Sequence, residues 1–339
     1  MQLVENNRNI ALDILKMTCA FLVIVCHFGD EIPYLKLELG VLAVPIFMTL
    51  SFYFLTKKSS YKFDLKKRIL RFLIPLTLWN IIYFIIYGLI FKSDITINDF
   101  FWQVLTGHSN NLNPPMWFLN NLILLILLFW GINQIFKTMP FIPFLAIIVV
   151  AYFLQYMNIN YLMFSDLPFE LKSSFGRLVE MLPFMSIGYF LAKFDILNYI
   201  KNQIATKGKY LFWINLIVCC GIFCAIKQIG NEHLPLIAIF LNGFDYEGIS
   251  KALLALTIIF LFNSLPVEKI SKKGLLFLSF FTKNTLGIYC IHLLVERILR
   301  PFLFVEYNFL YCSCIFLVSC AICFLLGKIL GKNAKYLVQ

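Results

Sequence analysis

The stretch LDILKMTCAFLVIVCHF, residues 12–28, decides the fold class. It is a run of the length and apolarity that crosses a bilayer as a helix. It also carries three ionisable residues, Asp13, Lys16 and His27. A cleavable leader does not fit, because Asp13 and Lys16 interrupt the apolar region and no A-x-A site follows. Asp13 and Lys16 are three residues apart and share a helical face, so they can pair. Lys16 and His27 are eleven residues apart, close to three turns, so they also lie on nearly one face. With Lys16 at the inner interface, His27 falls about 16 Å further along the helix. That is near the middle of a hydrocarbon core about 30 Å thick. Groups of this kind face a bundle interior or a wet cavity, and imidazole exchanges protons near neutral pH. His27 on its own fits either a hydrogen bond between helices or a proton-transfer role.

Similar apolar runs recur along the chain. Of 339 residues, 60% are hydrophobic and 14% charged, more apolar surface than a soluble core of this size hides. The pattern predicts an all-α integral membrane protein of about ten transmembrane helices. They fall near 10–28, 39–56, 69–91, 116–136, 141–157, 175–193, 210–227, 248–265, 284–300 and 306–330. The stretch HLPLIAIFLNGF (233–244) reads as a re-entrant or interfacial piece, and GLLFLSFF (274–281) as one lying along the inner surface. No soluble domain interrupts the runs, so residues 1–339 are expected to form a single transmembrane domain.

The net charge of +11 does not signal nucleic acid, because of where the charge lies. Lys57, Lys58, Lys62, Lys66, Lys67 and Arg68 fill one loop, and Lys193, Lys201, Lys207 and Lys209 another of the same parity. Asp30, Glu31, Asp94, Asp99, Asp166 and Glu170 fill the alternate loops. This bias predicts that both termini are cytoplasmic. All ten cysteines lie in apolar runs, where Cys acts as a small hydrophobe. Their spacing suits neither a disulfide framework nor a metal site, so no metal is expected.

Further constellations surround the first helix. In KKSSYKFDLKKRILRFLIP (57–75), Arg68 and Arg71 are spaced i, i+3 beside Lys67. The planar guanidinium fork suits phosphate, so the cluster is either a topology signal or a cytoplasmic site for a phosphate-bearing ligand. In KNTLGIYCIHLLV (283–295), His292 lies well inside a span, as a structural hydrogen bond or a catalytic part. In NPPMWFLNNL (113–122), Trp117 is an interfacial anchor or a stacking surface for a sugar ring. Glu170, Arg177 and Glu180 flank the start of the sixth span, where they orient an acceptor or form an ion-pair network.

Taken in order, DILK with its K-x10-H spacing, RILR followed by Pro75, MWFL, FGRLVEMLPFMSIGYFLAKF and TKNTLGIYCIHLLV resemble the acyltransferase family 3 membrane proteins. These O-acylate sugars of bacterial surface polysaccharides. The resemblance covers nearly the whole chain. It implies a multi-pass protein of the bacterial cytoplasmic (inner) membrane that takes an acyl group, commonly acetyl, from cytoplasmic acyl-CoA. The acceptor implied is a saccharide hydroxyl on the outer side. His27 then corresponds to the family's catalytic residue, and Arg68 with Arg71 to part of the donor site, with Lys67 adding to the field. Lys16, Asp13 and His292 are further catalytic candidates, and Trp117, Glu170 and Arg177 acceptor-side candidates. General-base and covalent acyl-relay roles for His27 both stay open. A transporter or flippase for a lipid-linked saccharide is the alternative, since buried His and Lys also suit proton relays.

Overall fold

A computed structural model describes residues 9–33, 35–58, 64–91, 94–108, 114–156, 166–207, 213–214, 217, 221, 249–265, 267, 270–271, 274, 278, 281–303 and 308–337. The helices are α1 (Ile10–Phe28), α2 (Ala43–Lys58), α3 (Leu65–Leu89), α4 (Ile97–Thr106), α5 (Trp117–Ile135), α6 (Phe141–Tyr156), α7 (Phe169–Lys193), α8 (Ile196–Lys207), α9 (Ile249–Asn263), α10 (Thr285–Leu299) and α11 (Phe309–Leu330). Among the described residues there is no strand.

Among the described residues, six helical stretches are long and apolar enough to cross a membrane: Ile10–Phe28, Gly40–Lys57, Leu65–Leu89, Trp117–Ile135, Phe169–Lys193 and Phe309–Leu330. The segments expected near 141–157, 248–265 and 284–300 are also helical but shorter, with 16, 15 and 15 residues. Fifteen residues of helix rise about 22 Å, short of an untilted crossing of about 30 Å. The segments expected at 210–227 and 233–244 and the surface stretch 274–281 lie wholly or mostly outside the described residues. The membrane reading is also visible in what the bundle exposes. Along α3, Leu70, Leu73, Leu78, Ile81, Ile85 and Leu89 face outward, while Leu76, Trp79, Tyr83 and Tyr87 face in. An outward face this apolar suits lipid rather than water.

Polar contacts between helix ends set the alternation. Asn9 caps α1 by accepting from the Leu12 N–H, and its Nδ2 donates to Asn263 Oδ1 at 3.0 Å. Asn263, at the end of α9, donates in turn to the Leu197 carbonyl at 2.9 Å. Lys57, at the end of α2, pairs with Asp195 at 2.7 Å just past α7. Together these contacts tie the start of α1 to the ends of α2, α7 and α9 at one end of the bundle. His27 and Phe28 close α1 at the other end.

The α2–α7 contact depends on one glycine. A Cβ at Gly188 would sit 2.3 Å from the Thr49 carbonyl oxygen and 2.9 Å from Phe52 Cβ. Backbones approach this closely only where a small residue permits it. Gly188→Ala is expected to lose about 1–3 kcal/mol of stability, read as a lowered thermal midpoint of the purified protein. An unchanged midpoint would mean that the two helices separate without cost.

Two helices, α4 and α8, are absent from the sequence reading. α4 falls in what the apolar runs leave as an outer loop. Its capping box is complete: the Asp99 N–H donates to Thr96 Oγ1, and the Thr96 N–H donates to Asp99 Oδ2. The helix ends at Gly107, whose φ of 74° is left-handed. A Cβ there would lie 2.2 Å from Trp117 Cα, so only glycine lets the chain turn against the start of α5. Asn120 then caps α4 from α5, its Nδ2 donating to the Leu105 carbonyl at 2.8 Å.

Candidate functional site

The expected Asp13–Lys16 pair forms. Lys16 Nζ donates to Asp13 Oδ1 at 3.2 Å and lies 4.2 Å from the centroid of the Phe54 ring. These contacts hold Lys16 against α2 near the start of α1. Nearly three turns separate it from His27, so the two share a helix but not a site.

His27 occupies the last turn of α1. The residue is exposed at this end of the helix, and its ring opens onto a small cavity lined by Val23, Cys26, Gly40, Val44, Pro115, Trp117 and Tyr289. Its neighbour is His292 of α10, with ring centroids 5.4 Å apart and planes inclined by 33°. His292 is fully buried and is not part of the cavity lining. Its Nδ1 lies 2.7 Å from the Tyr289 carbonyl. The Tyr289 hydroxyl donates to the Pro115 carbonyl, and its ring packs on Phe118 at 5.5 Å. Tyr289 thus joins the buried imidazole of α10 to the turn that opens α5, and that turn brings Trp117 to the cavity. The sequence reading sets both His27 and His292 at depth; in the structure their rings are neighbours, with His292 buried and His27 exposed at the end of α1.

Beyond His292, the carboxylate of Glu296 accepts from Arg300 Nε at 2.7 Å and from the Tyr311 hydroxyl at 3.0 Å. Phe28 lies between this group and the two imidazoles, 6.5 Å from Tyr311 and 6.3 Å from His292.

Trp117 carries two further neighbours. The His108 ring lies parallel to it at 6.4 Å, and the Arg177 guanidinium is 5.4 Å from its ring. Arg177 donates from Nη1 to Glu180 Oε2 at 2.9 Å, and the Glu180 side chain is buried. Burial, and then the nearby Arg177 charge, push the His108 imidazole down to about 4, so it is neutral at physiological pH. Arg177 therefore belongs to both of its expected settings, an ion pair and the surroundings of Trp117. Glu170 does not join them. It sits in the first turn of α7, nearly two turns before Arg177, and makes no hydrogen bond or ion pair among the described residues.

Arg68, Arg71 and Lys67 lie at the opposite end of the bundle from the cavity. Asp64 caps α3 by accepting from the Lys67 N–H at 3.0 Å. Arg68 is half-buried, whereas Arg71 and Lys67 are exposed. The guanidinium groups thus lie at one end of the helical bundle and the His27 imidazole at the other.

His108, Tyr289 and Pro115 are site residues that sequence reasoning missed. Pro115 and Tyr289 stand inside quoted motifs, but as neighbours of Trp117 and His292. His108 follows Gly107 in a loop, and only the left-handed turn at that glycine brings it onto Trp117.

The comparisons with known proteins give one finding. A family model described as an acyltransferase domain matches residues 9–328. No curated protein matches the chain, and no solved structure does.

Proposed function

The chain belongs to that acyltransferase family, and from this premise we propose that it is a membrane O-acyltransferase. It moves an acyl group, most simply acetyl, from cytoplasmic acyl-CoA to a hydroxyl of a cell-surface polysaccharide or lipid-linked sugar, in a bacterial inner membrane. The observation that carries the proposal is the ring of His27 opening onto a cavity that Trp117 also lines.

In this reading the donor binds by its phosphates to Arg68, Arg71 and Lys67, and its long arm carries the thioester toward His27. Guanidinium groups hold phosphate oxygens two at a time. The acceptor sugar meets Trp117, with Arg177 and the neutral His108 beside that ring. His27 removes the proton of the acceptor hydroxyl as its oxygen attacks the thioester carbonyl carbon. The carbon–sulfur bond then breaks, and the departing thiolate takes the proton from His27, so the enzyme returns to its starting state. In the covalent variant, a His27 nitrogen attacks the carbonyl first and the thiolate leaves; the hydroxyl oxygen then attacks the acyl-imidazole carbonyl, the bond to the His27 nitrogen breaks, and the hydroxyl proton goes to the departed thiolate. The Asp13–Lys16 pair serves the donor end. The family match does not favour the transporter or flippase reading.

Purified protein in lipid should bind acetyl-CoA but not free acetate. Cells with the gene should carry an acyl group on a surface glycan that cells without it lack, by mass spectrometry. Binding of neither acyl-CoA nor its analogues would sink the proposal. Trp117→Ala should raise the acceptor KM about tenfold and leave acetyl-CoA affinity unchanged, since stacking on the sugar is uniform binding of the acceptor alone. An unchanged acceptor KM would leave Trp117 as a membrane-interface anchor.

A further inference from the structure

We infer that His292 is a positioning residue whose bare Nε2 accepts a hydrogen bond from His27, fixing the tautomer that leaves the cavity-facing nitrogen of His27 unprotonated. The inference deepens the acyl-transfer reading and rests on it for its kinetic half.

A carbonyl oxygen can only accept, so the 2.7 Å contact from His292 Nδ1 to the Tyr289 carbonyl requires a hydrogen on Nδ1. A neutral imidazole carries one N–H, which leaves Nε2 as a lone pair. That atom is buried and has no hydrogen-bond partner among the described residues. An unmet acceptor in such a place is costly, and the imidazole beside it is that of His27, 5.4 Å away between ring centres. The rings are inclined by 33° and make no hydrogen bond to each other as they stand, but at that separation a turn of the His27 ring brings one of its nitrogens to hydrogen-bond length from Nε2. A His27 N–H directed at Nε2 satisfies the orphaned acceptor.

The donor nitrogen of His27 then has its hydrogen, and the other nitrogen is bare. A bare nitrogen toward the cavity is what a general base needs, and a covalent relay needs the same form. His292 itself does not touch substrate, because it is fully buried behind His27 and is not part of the cavity lining. It does for His27 what a carboxylate or carbonyl does for many reactive histidines. The nearest acid along α10 is taken: Glu296 is held by Arg300 and Tyr311. At the other side, Lys36 is paired with Asp30. During the reaction the hydroxyl proton goes to the cavity-facing nitrogen, and the resulting imidazolium keeps its second N–H on Nε2. No proton passes to His292, and the thiolate removes the one gained.

The test uses the full-length protein in lipid bilayers with 15N-labelled histidine. The chain has four histidines, and the His27 signals are assigned by their loss in His27→Gln. The parent should show His27 as a single tautomer. His292→Phe keeps a ring but removes the acceptor, and should give a mixture of His27 tautomers. It should also lower kcat about 10²-fold with acetyl-CoA affinity unchanged. His292→Asn, whose side-chain oxygen accepts, should restore the single tautomer and most of the rate. If Phe is not tolerated, Asn alone decides: a single tautomer supports the inference and a mixture overturns it. An unchanged tautomer in His292→Phe, or equal rate losses in the Phe and Asn variants, also overturns it. A tautomer change in His292→Phe, with a parent that transfers no acyl group, would leave the imidazole pair standing and sink the acyl-transfer reading instead.

Discussion

His27→Gln should slow acyl transfer by about 10² to 10⁴ while acetyl-CoA binds as it does to the parent. Glutamine reaches nearly as far as histidine and forms hydrogen bonds, but it cannot take a proton near neutral pH. The variant therefore separates shape from chemistry. Unchanged donor binding follows from distance, because His27 lies about 16 Å along α1 from Lys16, too far to meet phosphates held by Arg68 and Arg71. Its ring opens onto the cavity that Trp117 lines, so the loss should appear in kcat rather than in the donor KM. A normal rate in His27→Gln would make the residue structural. Loss of acetyl-CoA affinity at unchanged stability would move His27 into the donor site. A larger rate loss than a base explains, together with an acyl group trapped on the parent protein, would select the covalent route.

The sequence carried more of the helices than of the site. Apolar runs located α1, α3, α5 and α11 to within a few residues, because lipid-facing helices must be apolar over a fixed length, but α7 starts six residues before the expected 175, at Phe169. The shorter helices α6, α9 and α10 were visible as runs, but a run does not show that its helix stops after 15 or 16 residues. α4 had a readable start in Thr96 and Asp99, and a hydropathy reading passes over a ten-residue amphipathic helix.

Relations within one helix were legible. The Asp13–Lys16 pair follows from spacing alone. Relations between helices were not. Nothing in the spacing of 265 positions between His27 and His292 says that their rings meet, because that depends on how α10 is rotated against α1. The neighbours of Trp117 show the same limit. Arg177 was a candidate on its own span, but its place over the indole depends on the packing of α7, and His108 depends on the turn at Gly107. Spacing also overstates likeness. Arg68 and Arg71 are one turn apart, yet one is half-buried and the other exposed.

That difference shapes the second large effect. Replacing both Arg68 and Arg71 with Ala should weaken acetyl-CoA binding by about 10²-fold, since a hydrogen bond to a charged partner contributes about 1.5–3 kcal/mol. Arg68 should account for most of the loss, because a partly desolvated guanidinium is screened less than an exposed one. The exposed Arg71 should matter more at low salt and fade as ionic strength rises. Helix α3 should still start normally in these variants, because its cap is Asp64 accepting from the Lys67 N–H and neither arginine takes part in it. Arg68→Lys keeps the charge but not the planar fork, so it should recover only part of the affinity if the contact to phosphate is bidentate. Titration of acetyl-CoA by calorimetry, at two salt concentrations, reads all of this. Equal affinity in the double variant and the parent would reduce the pair to a charge that sets topology. Equal losses from each single variant would mean that the burial of Arg68 contributes nothing to holding the donor.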